Sequence, residues 1–200
     1  MADFFFLYIS AATDLEHERD LLGRLVTEIP VTLGWHIRQS PSRGESPDLD
    51  AVGKADVHLL LLGSDIRAPM GWEWFVSRRA GRRPELLLKE STLRTPAAEE
   101  FVRYVGGLNY WKPFKDSPDL RQQVLMLLAS HILDRADHFT LSPEEYDHLK
   151  KWRDELELDS TGKTKIEGAR SVAGESSIIL TIERYIPSEG VLIQPKKGEE

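Results

Sequence analysis

The chain has 200 residues, 26 of them basic and 33 acidic, and it contains no cysteine. That length suits one domain of ordinary size with an appendage. The missing cysteine excludes disulfides, thiolate zinc sites and a cysteine nucleophile, and a net charge of −7 speaks against broad nucleic-acid binding, which draws on a basic surface. No run approaches the ~18 apolar residues of a membrane span. The apolar start lacks the basic flank and the length of a signal peptide, so the expectation is a cytoplasmic protein with no membrane and no nucleic-acid partner.

Residues 4–9, FFFLYI, read as a buried strand that stops at Ser10, Ala11 and Ala12. A helix is expected from Asp14 to about Leu33, with Thr13 as its cap and Glu16 at capping-box spacing. Leu15, Leu22, Leu25, Val26 and Ile29 fall near helical spacing, and Pro30 breaks or ends the helix. Residues 35–38 form a second strand, and SPSRGESPD is a loop by composition. A short helix at 48–55 is capped by Ser46 or Asp48. Residues 57–62 are a continuous apolar strand of the kind buried on both faces, ended by Gly63-Ser64-Asp65. A helix over 72–80 follows, with Gly81 as its C-cap; it places Glu73 in a first turn, where any acid suits the helix dipole.

Strands at 85–89 and 110–114 alternate with helices at 96–105 and 120–136, the last carrying the core stripe Leu120, Val124, Leu127, Leu128, Ala129 and Ile132. This rhythm predicts an α/β fold: a flavodoxin-like parallel five-stranded sheet in the order 2-1-3-4-5, with helices on both faces and a topological switch between strands one and three. Beyond it, Ser142-Pro143-Glu144-Glu145 opens a polar helix to Leu158. A Gly-rich linker spans 159–177, and segments 178–185 and 191–194 have the pattern of a small β-hairpin. The organisation expected is an α/β domain at 1–139, a C-terminal helix at 140–159, and a linker and tail at 160–200.

Ligands of open α/β sheets bind outside the strand C-termini at the switch point, which directs attention to Ser10 and Ser64. Two stretches there resemble a known family. Ile9-Ser10, Thr13-Asp14-Leu15 and Glu18-Arg19 resemble the F-I-S-S-T-x-x-D-L-x-x-E-R opening of the DUF4062 family, which is similar to the TIR and nucleoside-deoxyribosyltransferase folds. Residues 56–90 resemble its second pattern, with Asp56 before a strand, Gly63 after it and Glu73 on the next helix. The likeness covers roughly residues 4–103. It departs at Ala11-Ala12, where the family has Ser-Thr, and at Ile66-Arg67, where it has Tyr-Gly.

The resemblance implies a TIR-like signalling or defence domain that binds a nucleotide, self-associates, and hydrolyses NAD⁺, as substrate and not cofactor, through Glu73 as the catalytic residue. The chemistry suits a carboxylate. N-glycosidic cleavage passes through an oxocarbenium-like sugar that a carboxylate stabilises or attacks, and nicotinamide leaves as a neutral base without a strong general acid. Ser10 and Ser64 could bond ribose or phosphate, Arg67 a phosphate, and Trp72 and Trp74 could stack on a base; Thr13 and Asp14 complete the ligand-binding set. Each has a plainer role open to it: small residues at tight turns, helix-stabilising acids, core or interface tryptophans. Two alternatives stand beside the glycohydrolase. One is a non-catalytic module that docks a partner protein through Trp72, Trp74 and the arginines. The other is a nucleoside 2-deoxyribosyltransferase-like enzyme.

Other signals are weaker. Gly162-Lys163-Thr164 imitates the end of a P-loop, but Glu157 stands where its first Gly belongs. The six His show no metal-ligand spacing, with His131 and His138 at best sharing a helix face. Arg78, Arg79, Arg82 and Arg83 cluster at a helix C-terminus, where dipole compensation competes with a phosphate or acidic partner.

Overall fold

The alternating apolar runs become five parallel strands, hydrogen-bonded in the order β2-β1-β3-β4-β5. A computed structural model describes residues 4–41 and 45–158. The strands are β1 (Phe4–Ala11), β2 (Gly34–Gln39), β3 (Val57–Leu62), β4 (Glu85–Lys89) and β5 (Trp111–Phe114). The helices are α1 (Glu16–Leu25), α2 (Leu49–Lys54), α3 (Ala68–Arg79), α4 (Pro96–Gly106), α5 (Ser117–Asp134) and α6 (143–158). The expected sheet order is therefore the observed one.

Side chains alternate across the sheet with period two, and the two faces differ. Phe5, Leu7, Ile9, Leu59, Leu61 and Leu87 pack on one face with Leu22 of α1, Leu128 of α5 and Leu149 of α6. Leu60, Leu62 and Leu86 pack on the other with Met70 and Trp74 of α3 and Val105 of α4. On this second face the apolar lining is interrupted by Tyr8, Ser10 and His58, all buried. Tyr8 pairs with His58 in the β1–β3 register, so these residues sit side by side on the two central strands.

Local differences from the sequence reading follow from backbone accounting. β1 continues through Ser10 to Ala11, so Thr13–Leu15 forms a single 3₁₀ turn and α1 begins at Glu16 without a side-chain cap. The expected Thr13–Glu16 capping box does not form. The reciprocal box occurs instead at α6: Ser142 Oγ accepts from Glu145 N (3.2 Å) and Glu145 Oε2 accepts from Ser142 N (3.1 Å). Glu145 Oε1 also accepts from Thr32 N (3.0 Å) and Thr32 Oγ1 (2.5 Å), which ties α6 to the segment entering β2. These bonds, led by the Thr32 hydroxyl, hold the Glu145 carboxyl down at about 2. α3 starts at Ala68, four residues earlier than expected, because Pro69 occupies its first turn with a φ already set for helix. Gly81 ends it at φ +75°, with Gly81 N bonded to Arg78 O and Arg82 N to Ser77 O, a Schellman closure.

The chain divides into two units, Met1–Glu157 and Leu158–Glu200. The linker and hairpin expected at 159–194 lie outside the described residues.

Candidate functional site

Glu73 lies in the second turn of α3, whose first turn holds no acid. Helix-dipole stabilisation, strong only in the first turn, therefore does not explain it. Its side chain is 0% exposed and meets three hydroxyls. Tyr8 Oη donates to Oε1 (2.9 Å), while Ser10 Oγ (2.5 Å) and Ser40 Oγ (2.6 Å) donate to Oε2. Three elements deliver them. Tyr8 and Ser10 are two apart on β1 and so share a face. Ser40 follows β2 and is held by its own N–H, which donates to Ile9 O (2.9 Å).

Burying a carboxylate is worth several kcal/mol of penalty unless partners compensate it. Here the compensation is three hydrogen bonds; among the described residues no Lys or Arg forms an ion pair with Glu73. Burial first, and the Glu73 charge second, push the Tyr8 phenol far up, so it remains a donor. The second layer is His58, whose Nε2 lies 2.8 Å from Ser10 Oγ. The Ser10 proton is committed to Glu73, so Nε2 must carry the proton of that contact. Nδ1 is then a bare acceptor, and it has no hydrogen-bond partner among the described residues. Burial pushes the imidazole down to about 3, which keeps it neutral.

The other sequence-nominated residues divide in two. Asp14 and Ser64 meet each other: Asp14 Oδ2 accepts from Ser64 N and Ser64 Oγ, each at 2.7 Å. Gly63 permits this approach, since a Cβ there would stand 2.3 Å from Asp14 Oδ2. That pair closes the β3 turn and does not bond Glu73. Trp72, Glu73 and Trp74 are successive helix residues, about 100° apart, and go three ways. Trp72 is 61% exposed. Glu73 faces the sheet. Trp74 is buried against α4, edge-on to Phe101 (5.9 Å) and Tyr104 (5.8 Å). The two tryptophans thus do not flank the carboxylate in space. Thr13 is exposed and Arg67 half-buried, and neither side chain has a hydrogen-bond partner among the described residues.

Part of the opening motif is architectural. Glu18, buried on α1, pairs with Lys89 Nζ at the end of β4 (2.6 Å), while Arg19 pairs with Glu16 and Asp20.

Sequence reasoning missed Tyr8, Ser40 and His58. Tyr8 had a signal in its two-residue spacing from Ser10. His58 had one as the single polar residue of Val57–Leu62. Ser40 had none, because only the fold brings the end of β2 over α3. Among the described residues no group of His, Asp and Glu is arranged to hold a metal ion, and no helix is long and apolar enough to cross a membrane.

Comparison of the chain with protein families, with curated proteins and with solved structures returned no match. Fold and site together define the class: a doubly wound α/β domain with a hydroxyl-bound carboxylate, without a cation partner among the described residues, beside its topological switch point.

Proposed function

We propose that this domain binds a nucleotide at the C-terminal end of the sheet and cleaves its N-glycosidic bond through Glu73, with NAD⁺ as the substrate to test first. The observation that carries this is the Glu73 carboxylate: fully buried, without a cation partner among the described residues, and oriented by Tyr8, Ser10 and Ser40. A fixed negative charge in a water-poor site is suited to a cationic sugar developing beside it. A lysine partner would cancel that field; hydroxyls orient it without cancelling it. A ribose brings hydroxyls of its own, the same donor type that now surrounds the carboxylate. Substrate entry replaces Ser40, the one partner that lies outside a strand or helix. The likeness of the two motifs to the DUF4062 family points the same way.

A second reading rests on a different surface. Trp72 (61%), Phe75 (52%) and Tyr104 (62%) are large apolar side chains exposed on α3 and α4, which suits a module that docks a partner protein or a second copy of itself.

The deciding experiment is NAD⁺ consumption by concentrated protein, beside Glu73→Gln and Trp72→Ala, with melting curves of all three. Turnover by wild type and its loss in Glu73→Gln, at near-unchanged melting, supports the glycohydrolase. Added free base that is exchanged into product would mark a transferase instead. Absence of turnover, with Trp72→Ala abolishing self-association, supports the interaction module.

A further inference from the structure

Arg82 and Arg83, two of the four arginines clustered at the end of α3, have a second setting. At the opposite end of the sheet from Ser40, a cavity of about 570 Å³ is lined by Arg82, Arg83, Arg135, His58 and His131, with Asp56 and Glu85 at its wall. We propose that this cavity binds the phosphate groups of a small phosphorylated ligand.

Guanidinium donors in this cavity stand without acceptors among the described residues. Asp56 Oδ2 is taken by the Phe6 N–H (2.9 Å) and Glu85 Oε2 by Lys112 Nζ (2.9 Å). The three guanidiniums have no ion pair or hydrogen bond among the described residues. They are not needed as helix caps either. Carbonyls in the last turns of α3 and α5 are bonded by backbone N–H groups, Arg82 N to Ser77 O and Arg135 N to Ile132 O among them. Two imidazoles lie beside them: His58 is 3% exposed, and its acceptor Nδ1 and the buried His131 Nε2 have no hydrogen-bond partner among the described residues. Burial, then Arg135, holds His131 down against the pull of Asp56, Asp134 and Glu85; a bound anion offsets the Arg135 charge. Phosphate oxygens match forked guanidinium donors, and the volume is that of an ordinary small-ligand site.

His58 joins the cavity to Glu73. His58 Nδ1 is closed to solvent in this structure, so the cavity lining must open for a phosphate oxygen to accept from it; that contact selects the Nδ1–H tautomer. Nε2 then becomes an acceptor, the Ser10 hydroxyl turns to donate to it, and Glu73 Oε2 keeps only Ser40. One proton moves between ring nitrogens and none is gained or lost.

The test is a thermal-shift titration with inorganic pyrophosphate and, separately, with adenosine diphosphate, on wild type, Arg82→Ala/Arg135→Ala and Glu73→Gln. Both arginine side chains reach solvent, so the double variant keeps its fold. A stabilising shift is expected in wild type and Glu73→Gln, weakened by about tenfold or more in apparent affinity in the double variant. Equal responses to the two probes identify the pyrophosphate group as the ligand; a stronger response to the diphosphate nucleotide identifies a nucleotide. No shift, or a shift that survives loss of both arginines, overturns the site. An unchanged ¹⁵N signal of His58 Nδ1 at saturation overturns the link to Glu73. The Glu73→Gln arm separates failure here from failure of the proposed catalytic role.

Discussion

Two buried glutamates lie near the C-terminal end of the same sheet, on opposite faces, and the chain has stabilised them in opposite ways. Glu18 is paired with Lys89 Nζ at 2.6 Å. Among the described residues Glu73 is bonded by the hydroxyls of Tyr8, Ser10 and Ser40 alone. The first is an ion pair whose charges cancel, a fastening between α1 and β4. The second keeps its field, because hydroxyl dipoles orient a charge without removing it. A buried group is therefore not read as functional from burial alone; the kind of compensation decides, and an ion pair is the ordinary structural solution.

Substitution by glutamine separates the two most sharply. At Glu73 the amide oxygen can accept from Ser10 and Ser40, and the amide N–H can donate to the Tyr8 oxygen, so Glu73→Gln keeps three hydrogen bonds. At Glu18 the amide loses the Coulombic partner and strands Lys89. Urea unfolding is expected to show Glu18→Gln costing about 2–3 kcal/mol and Glu73→Gln about 1 kcal/mol or less, while any turnover is lost only with Glu73→Gln. Truncation is harsher. Glu73→Ala removes the acceptor that three buried hydroxyls share and opens a cavity, a loss of about 3–5 kcal/mol. Glu18→Gln and Glu73→Gln of equal stability would dissolve the comparison.

His58 sharpens it further, because it belongs to the Glu73 side alone. Its imidazole titrates at about 3 in the fold against 6.5 in the unfolded chain, so the unfolded state binds the extra proton between those values. Stability contributed by the neutral ring is complete above about pH 6.5 and declines as pH falls toward 3. His58→Gln, whose amide can still donate to Ser10, is expected to flatten the stability profile between pH 6.5 and 5. A slope unchanged by that substitution would mean the ring is protonated in the fold.

Gly63→Ala tests the neighbouring turn, which bonds neither glutamate. The added Cβ meets Asp14 Oδ2 at 2.3 Å and must expel it from Ser64. A loss of about 1–2 kcal/mol is expected for the two hydrogen bonds, with any Glu73-dependent turnover kept. Loss of turnover together with stability would bring Asp14 and Ser64 into the site.

The sheet order was legible because βαβα alternation with right-handed crossovers leaves few topologies, and Val57–Leu62 and Glu85–Lys89 announced themselves as unbroken strands. Boundaries set by capping were less so. Thr13–Glu16 and Ser142–Glu145 carry the same spacing, yet only the second forms a box, since Asp14 is drawn to Ser64 and β1 runs on to Ala11. Glu73 was nominated by its motif, but its surroundings were not. Tyr8 and His58 hid in apolar strands, and the contact of Ser40 with Glu73 exists only after β2 folds beside β1. Trp72 and Trp74 were misleading for a geometric reason: adjacency in a helix is angular separation.

The smallest effect comes from the far edge of the domain, where Glu145 shows what a solvent-accessible carboxylate does with the same donor type as Glu73. It accepts from Thr32 Oγ1, Thr32 N and Ser142 N, and the carboxyl is held at about 2 against 4.5 unfolded. The unfolded state is the one that protonates first, so the stability it adds is complete above about pH 4.5 and fades as pH falls toward 2. Glu145→Gln is expected to lose about 1 kcal/mol at neutral pH, the worth of a cap, and to flatten the profile below pH 4.5 while leaving the His58 region of the curve unchanged. If Glu145→Gln altered the curve above pH 5 instead, α6 would be coupled to the central strands rather than fastened at its own N-terminus.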